Sequence, residues 1–503
     1  MSTLDNASDA PTPGTQQPVA HLPRLRWTHI LSISIFNFGF SFHWAALGVI
    51  ILPSQVFKIV GNLHAGGALA FVLIPGAFVA LVTNPLFGFF SDRTRGKLAA
   101  WGSRRPYILF GTLINVACLV WMASARDIAS LAIAYALVQF SSNAAQAPFH
   151  ALLPDIVPAE QRGLTSGVMG LLQVGGNIGG VILAGMFIDA KQSWPIYQAH
   201  LWLAYGIMMG VLIVFMLITI FAVRERSGIL AQRRALESAE QARRRFSIPP
   251  RVILTCALTL VAVGVAWGLI SLWNVVGGAH LRISSDVEQV VLEVIATIGI
   301  LILFDFRPRR NPDFAWVVGT RLLMLLGIYT VQTFLQYYMR DAVGAAHPEQ
   351  QTTNFVILVS LTSLASTLGA GWLSDRFGRK RMVYIAGALM GMVGLIFIIT
   401  HSLTIVLASA ALFGLGYGAY LSVDWALIVD VLPSEHNFAR DMGIWNIAVS
   451  LAQVIAPILG GPLIDTFTQR GQPVLGFQLL FTLAIVYCVL GTVTIRFIKS
   501  VKK

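Results

Sequence analysis

The chain consists mainly of long apolar runs, each separated from the next by a short polar segment. Each run is close to or above the roughly 20 apolar residues that a helix needs to cross a bilayer. The pattern therefore predicts membrane-spanning helices, and we expect fourteen of them. The predicted spans are 29–54, 66–90, 106–125, 128–152, 164–188, 200–223, 252–276, 287–304, 315–338, 353–374, 382–400, 404–430, 442–464 and 475–498.

Repeated acidic positions divide these runs into two halves of six, with an extra pair between them. The segments around Asp155 and Asp189 recur around Asp430 and Asp465, in the same order and at nearly the same offset. Two halves of six spans are typical of transporters. We predict an all-α polytopic membrane protein. Its parts are a disordered tail 1–28, an N-terminal half 29–223, a linker 224–251, an inserted helix pair 252–314, a C-terminal half 315–498 and a tail 499–503.

A charged loop with the pattern Gly-x-x-x-Asp-Arg occurs once in each half. The first copy contains Gly88, Asp92 and Arg93, and the second contains Gly371, Asp375 and Arg376. The glycine allows another backbone to approach, and the aspartate can interact with the N-terminus of a neighbouring helix. We predict that both loops are gates and that their aspartates stabilise an outward-facing state.

This loop is typical of the major facilitator superfamily, which the chain therefore resembles. The longer first loop, ending in Arg104-Arg105-Pro106, is similar to that of the glycoside–pentoside–hexuronide cation symporters and their sucrose-transporter relatives. The segment from Asn143 to Asp155 resembles the sucrose–proton symporter pattern Asn-x-x-Gln-x-Pro-x-Arg-Ala-Leu-x-x-Asp. In that family the Arg is a substrate-site residue, and here the matching position is His150. The resemblance implies the major facilitator fold, whose usual plan has twelve helices. The two additional central spans are similar to those of fourteen-helix drug–proton antiporters.

Composition and charge agree with a membrane protein. The chain is 56% hydrophobic and only 12% charged, whereas soluble domains contain about 25% charged residues. Its net charge of +12 could indicate a nucleic-acid partner, but most Lys and Arg residues fall in alternate loops. This asymmetry follows the positive-inside rule, so we predict cytoplasmic termini, a cell-membrane location and no nucleic-acid partner. The three cysteines lie in apolar runs without metal-ligand spacing, and we predict no metal and no cofactor.

Polar and aromatic side chains recur at helical spacing on four spans. In the major facilitator fold, which the chain resembles, the equivalent helices line the central cavity. Polar groups inside a membrane face the bundle interior or a wet cavity; the alternative is that they form hydrogen bonds between helices. We predict a binding site for a neutral polyhydroxylated substrate, formed by Asn37, Trp44, Gln139, Asn143, Gln146, His150, Tyr329, Gln332, Gln336, Tyr417 and Tyr420.

Asp424 is the predicted proton-coupling residue. It lies in mid-span on the face of Tyr417 and Tyr420, where an acid is costly unless it has a function or a partner. His150 is the second candidate, since histidine titrates near neutral pH. The alternative reading of Asp424 is a structural ion pair with an arginine of another helix. We expect Arg321 to extend towards the membrane interface instead.

These observations predict a secondary active transporter, a proton-coupled symporter for a neutral sugar or glycoside. The predicted partners are this small molecule, the proton and the lipid bilayer. The first alternative is a proton-driven exporter of drugs or metabolites, and the second is a membrane sensor or scaffold that does not transport. An enzyme is not expected, because the sequence contains no nucleophile–base pair, metal cluster or nucleotide-binding loop.

The predicted topology places the 224–251 linker and both termini in the cytoplasm. Single cysteines at Ser238 and Ser284, in a cysteine-free background, should therefore react with an impermeant reagent from opposite sides of the membrane. Reaction of both positions from the same side would contradict the fourteen-span topology.

Overall fold

The computed structural model describes residues 24–92, 101–102, 104–222, 250–276, 285–303, 306–431 and 438–499. Long helices form almost all of this part of the chain. They are α1 Trp27–Val60, α2 Ala65–Asp92, α3 Arg105–Ser124, α4 Ile128–Ile156, α5 Ala159–Phe187, α6 Trp194–Ala222, α7 Pro250–Val276, α8 Ser285–Leu303, α9 Pro312–Asp341, α10 Pro348–Phe377, α11 Arg379–Ile399, α12 Leu403–Val431, α13 Phe438–Gln469 and α14 Pro473–Thr494.

Each predicted span overlaps one helix, and the bounds of span and helix differ by a few residues at either end. The predicted span 353–374, for example, lies within α10, which begins at Pro348. Proline is favourable there because its missing N–H is one that a first helical turn leaves unpaired. Ten helices in the described residues are long and apolar enough to cross a membrane. The chain is thus a multi-pass membrane protein, and the number of fourteen spans stays a prediction, as do the domain boundaries.

The two halves have the same packing order. In the N-terminal half α1 packs on α5 and α6, α2 packs on α4, and α3 packs on α4 and α6. In the C-terminal half α9 packs on α13 and α14, α10 packs on α12, and α11 packs on α12 and α14. Each of these contacts has its counterpart in the other half, so the predicted duplication into two six-helix halves is confirmed.

Small residues permit the closest of these contacts. A Cβ atom added to Gly176 or Gly180 of α5 would overlap the backbone carbonyls of Phe38 and Phe42 in α1. Helices in a membrane associate through such close backbone approaches, because lipid provides no hydrophobic drive between them. Gly176 and Gly180 therefore allow the close packing of α5 on α1.

The halves meet along two seams, α2 against α13 and α5 against α10. The inserted helices α7 and α8 pack mainly on each other, and α8 also contacts α2 and α13. Large apolar side chains of α7, among them Leu258, Val265 and Trp267, are more than half exposed. An exposed apolar surface of this kind suits contact with lipid. The inserted pair thus lies outside the twelve-helix bundle, at one seam.

Hydrogen bonds between the halves cluster at one end of the bundle, which we call the sealed end. It is formed by the last turns of α1, α5, α9 and α13, the first turns of α2 and α10, and the loops that join them. Gly66 and Gly67 of α2 donate their backbone N–H groups to Asp465, at 2.9 and 2.7 Å. Arg340 donates to Asn62, and the Tyr337 hydroxyl donates to the carbonyl of Pro53. Helices α2 and α10 end at Asp92 and Phe377, at the opposite end of the bundle.

Helix α1 contains a short π-helical segment, Leu47–Ile51, two residues before Pro53. Proline has no N–H, and its ring clashes with the carbonyl four residues earlier in a regular α-helix. A wider turn before Pro53 relieves this conflict, and such single π turns are frequent at functional sites. The segment divides α1 into an inner part, with Asn37 and Trp44, and an outer part that contributes to the sealed end.

Candidate functional site

A buried ion pair lies between helices of the C-terminal half. The guanidinium of Arg321 on α9 contacts the carboxylate of Asp424 on α12, and both side chains are less than a tenth exposed. The guanidinium carbon also lies 3.3 Å from the centre of the Trp445 ring on α13. A cation over an indole face is stabilised by the ring quadrupole. Arg321 therefore has two partners, one anionic and one aromatic.

Tyrosines surround this pair. The Tyr420 hydroxyl donates a hydrogen bond to Asp424 at 3.3 Å, and Tyr329 accepts one from Gln453 of α13 at 3.1 Å. Together with Tyr417, these phenols are close enough to Arg321 to interact with its charge. The structure thus joins Tyr329, Tyr417, Tyr420 and Asp424, which the sequence pattern predicts, into one cluster.

The expectation for Arg321 was wrong. This side chain is 7% exposed and does not extend to an interface. Its partner Asp424 lies on another helix, about a hundred positions further along the chain, which is why the surroundings of Arg321 in the sequence do not reveal the contact. Breaking a buried pair of this kind costs about 3–5 kcal/mol, because one charge is left uncompensated. The ion-pair alternative for Asp424 is therefore the arrangement found.

The N-terminal half contains a second, uncharged cluster. Gln139 donates to the Tyr135 hydroxyl at 2.9 Å, and Asn143 donates to the backbone carbonyl of Gln139 at 2.8 Å. The Trp44 ring stands edge-on to Tyr135, with ring centres 6.3 Å apart. Asn37 donates to the carbonyl of Met169 on α5, at 3.0 Å. Asn37 thus links α1 to α5, whereas the hydrogen bonds of Gln139 and Asn143 lie within α4.

Exposure increases along the polar face of α4 with distance from the sealed end. Gln139 and Asn143 are buried, Gln146 is half-buried and His150 is exposed. The face of α9 behaves alike, since Gln332 is exposed while Gln336, nearer the sealed end, is buried. This trend does not continue to the other end of α9, because Arg321, on the same face and further from the sealed end, is buried.

Gln336 stands apart from the other predicted residues. Its Nε2 donates at 3.3 Å to Glu349, in the first turn of α10, at the sealed end. Glu349 also lines a cavity of about 470 Å³ between α5 and α10. Neither Glu349 nor this cavity is among the features predicted from the sequence.

Most of the predicted gating positions lie near the ends of two helices. Gly88 and Asp92 lie at the end of α2, and Gly371, Asp375 and Arg376 lie at the end of α10. Arg93 lies outside the described residues, as do Ser238 and Ser284. The gating role of both loops stays a prediction.

Helical spacing could have pointed to some of the residues that sequence reasoning missed. Arg321 precedes Gln332 by eleven positions, which places both on one face of α9. Trp445 and Gln453 are likewise eight positions apart in the predicted span 442–464, within about 80° of each other around the helix. His43 offers no such signal: it is fully buried beside Trp44, and neither ring nitrogen has a hydrogen-bond partner among the described residues.

Two family profiles match the chain. One, described as MFS/sugar transport protein, matches residues 38–284, and the other, described as Major Facilitator Superfamily, matches residues 317–503. Together they include nearly all of both halves and the first inserted helix, α7.

Curated relatives match more locally. A Na(+), Li(+), K(+)/H(+) antiporter of Planococcus maritimus is 31% identical over 33% of this chain. The multidrug transporter protein MdtP of Bacillus subtilis is 23% identical over 80% of it, and the sucrose transport protein SUC3 of Arabidopsis thaliana is 26% identical over 33%. These matches span 38%, 71% and 30% of the respective relatives, so the first and third cover much less than the whole relative.

Among solved structures, a D-xylose-proton symporter superposes on the chain with a TM-score of 0.62. The match covers 95% of this chain and 98% of the symporter, at 16% identity. The likeness is therefore one of fold, and it includes both six-helix halves.

Proposed function

We propose that this chain, which belongs to the major facilitator superfamily, is a secondary active transporter that moves a neutral sugar or glycoside together with a proton. Transport would proceed by alternating access, in which the two six-helix halves rock around a central site. The structure would then correspond to the state in which the sealed end is closed.

The observation that carries this proposal is the presence of two clusters of polar and aromatic side chains, one in each half. Amides, phenols and the Trp44 ring offer hydrogen bonds and flat apolar faces, which suit the hydroxyls and the C–H surfaces of a sugar. Arg321 adds a donor, because its Nε has no hydrogen-bond partner among the described residues. A family profile described as sugar transport supports the same substrate class.

Asp424 is the proposed carrier of the proton. Contact with a guanidinium favours the ionised carboxylate, so protonation requires the pair with Arg321 to separate. Arg321 would then keep its contact with Trp445, and this second partner lowers the cost of separation. Substrate that binds near Arg321 could in this way promote the uptake of a proton by Asp424.

We further propose that the protein lies in the cell membrane with both termini in the cytoplasm. The sealed end would then face outwards, and the Gly-x-x-x-Asp-Arg loops would lie at the cytoplasmic mouth of the cavity. The positive-inside rule supports this orientation, since most basic residues fall in the loops of the opposite end and in the tails.

Proton-driven export of amphipathic drugs or metabolites is the second candidate function. It is favoured by the inserted helix pair and by the match to MdtP, which covers 80% of the chain. The clusters contain aromatic rings that could also bind such compounds.

Flux through reconstituted protein tests these functions. Proteoliposomes are loaded with a panel of labelled glycosides or with lipophilic cations, with and without a pH gradient, and a sodium gradient serves as the comparison. Uphill accumulation of a glycoside that follows the proton gradient is expected. Gradient-driven movement of the lipophilic cations alone would support the exporter instead.

A further inference from the structure

Glu349 is a buried acid that connects the two halves at the sealed end. Its Oε1 accepts hydrogen bonds from the Ser54 hydroxyl of α1 and the Ala190 N–H of the α5–α6 loop, both at 3.2 Å. It also accepts one from Gln336 of its own half, at 3.3 Å. Only 4% of Glu349 is exposed. Opening of this end must break the first two bonds and hydrate the carboxyl group.

The surroundings of Glu349 contain an unused acceptor. Gln336 donates to Glu349 through Nε2, yet its Oε1 is buried without a hydrogen-bond partner among the described residues. Buried polar atoms are normally paired, so an unpaired one calls for an explanation. A proton on Glu349 would provide the missing donor, either directly or after a 180° turn of the Gln336 amide, whose two ends are hard to tell apart.

We propose that Glu349 is a proton-binding site that takes up a proton when the sealed end closes and releases it when this end opens. The proton would come from the bulk solution as hydronium, through the 470 Å³ cavity that Glu349 lines. It would bond one carboxyl oxygen, neutralise the carboxylate and leave a water molecule behind, with no change of oxidation state. The proposal rests on the proposed alternating access of the two halves. It does not depend on the identity of the substrate.

Burial supports the direction of this linkage. Glu349 precedes the predicted span 353–374, and its loss of hydration raises its pKa above the ordinary value, while the bonds from Ala190 and Ser54 oppose the rise and the nearby Asp189 carboxylate adds to it. A group with a raised pKa in the closed state stabilises closure fully below its open-state pKa. This contribution is lost as the pH rises through the closed-state pKa. Acid should therefore favour the sealed end.

Other charged or titratable groups surround Glu349, and their contacts differ from its own. Lys58 donates to the carbonyls of Ala190 and Gln192, and Lys191 donates to the carbonyl of Ala346. The groups on the elements around it are Lys58 of α1, Asp189 and Lys191 of the α5–α6 loop, Tyr197 and His200 of α6, Tyr337, Arg340 and Asp341 of α9, and His347 next to α10.

The test measures conformation and not flux. Spin labels at Trp194 and Gln472, which lie at the sealed end in opposite halves, report the distance between the halves in the full-length protein. Between about pH 8 and pH 5, the ratio of sealed to open protein should rise by up to about tenfold for each pH unit that lies between the two pKa values of Glu349. A flat or a falling ratio in the wild-type protein would overturn the proposal.

Variants then assign the effect to Glu349. Glu349→Gln resembles the protonated acid, so it should hold the sealed state at every pH, at the ratio that the wild type reaches in acid. Glu349→Ala should weaken the seal without leaving a pH dependence. His347→Gln is the matched control, and its ratio of sealed to open protein should depend on pH as in the wild type. Asp189→Asn should show the same slope, with a small shift in the pH of the midpoint. An unchanged slope in Glu349→Gln would show that another group titrates. Loss of glycoside flux with the slope intact would instead refute only the proposed substrate.

Discussion

Replacement of Asp424 by asparagine is expected to abolish uphill accumulation of substrate driven by a pH gradient, while exchange of substrate across the membrane continues. Asparagine keeps the shape of the side chain and can still accept a hydrogen bond from Tyr420, but it cannot ionise. A neutral solute would then only equilibrate. Accumulation and counterflow in the same proteoliposome preparation measure the two quantities separately.

The ion pair with Arg321 makes a control necessary. Asp424→Asn leaves a buried guanidinium without its anion, and this can destabilise the fold by about 3–5 kcal/mol. The double variant Arg321→Gln/Asp424→Asn removes both charges and should recover thermal stability, because paired neutral groups of similar size replace the pair. It should still fail to accumulate substrate. Recovery of uphill transport in the double variant would show that Asp424 acts only as the counter-ion of Arg321.

His150 is the rival for the same role. It is exposed on the polar face of α4, where water can reach it, and imidazole can bind a proton. His150→Gln should lower substrate affinity without loss of gradient-driven accumulation. If His150→Gln loses accumulation while Asp424→Asn retains it, the coupling role belongs to His150.

Replacement of Gly461 by valine is expected to prevent closure of the sealed end and to abolish net transport. A Cβ atom at Gly461 of α13 would lie 2.6 Å from the carbonyl oxygen of Gly66 in α2, closer than real Cβ atoms approach any neighbour. The obstacle is backbone, so the helices themselves would have to separate. The bonds from Gly66 and Gly67 to Asp465, one turn away, would be lost with them.

Gly210→Val is the matched control, because a Cβ atom at Gly210 of α6 meets nothing within 4 Å. Both variants exchange the same residue types within a helix, so they differ mainly in the space available. A cysteine at Ala65, which is 1% exposed in the sealed state, reports closure through its reaction with an impermeant reagent. Gly461→Val should react and Gly210→Val should not. Wild-type flux in Gly461→Val would mean that closure does not need this contact.

The helices and their grouping could be predicted from the sequence because both are local properties. A bilayer requires about 20 apolar residues in each span, so the run 403–431, for example, is visible without knowledge of its neighbours. The polar face of α4 could be predicted for the same reason, since it depends on spacing within one helix. The two clusters follow from such faces, which is why Gln139, Asn143, Tyr420 and Asp424 appear in both the prediction and the structure.

Contacts between helices that are far apart along the chain could not be predicted from local sequence patterns. The hydropathy around Arg321 is the same whether the side chain reaches the interface or meets Asp424, and only the packing of α9 against α12 and α13 decides between them. Glu349 precedes an apolar run and looks like an ordinary acid in a first helical turn, where it interacts well with the helix dipole. Its importance arises from Ser54 and Ala190, which the fold brings from the other half.

The π-helical segment of α1 sets the direction around the helix axis in which the following residues point. One extra residue in a turn shifts all later side chains by roughly 100° around the helix axis. Asn37 and Trp44 precede the shift, whereas Ser54 follows it and faces Glu349. One face of α1 is thus directed to the predicted central cavity, and another face contacts the opposite half. Deletion of one residue from Leu47–Ile51 would rotate Ser54 away from Glu349 and remove no polar side chain, so the loss of the Ser54 bond would come from orientation.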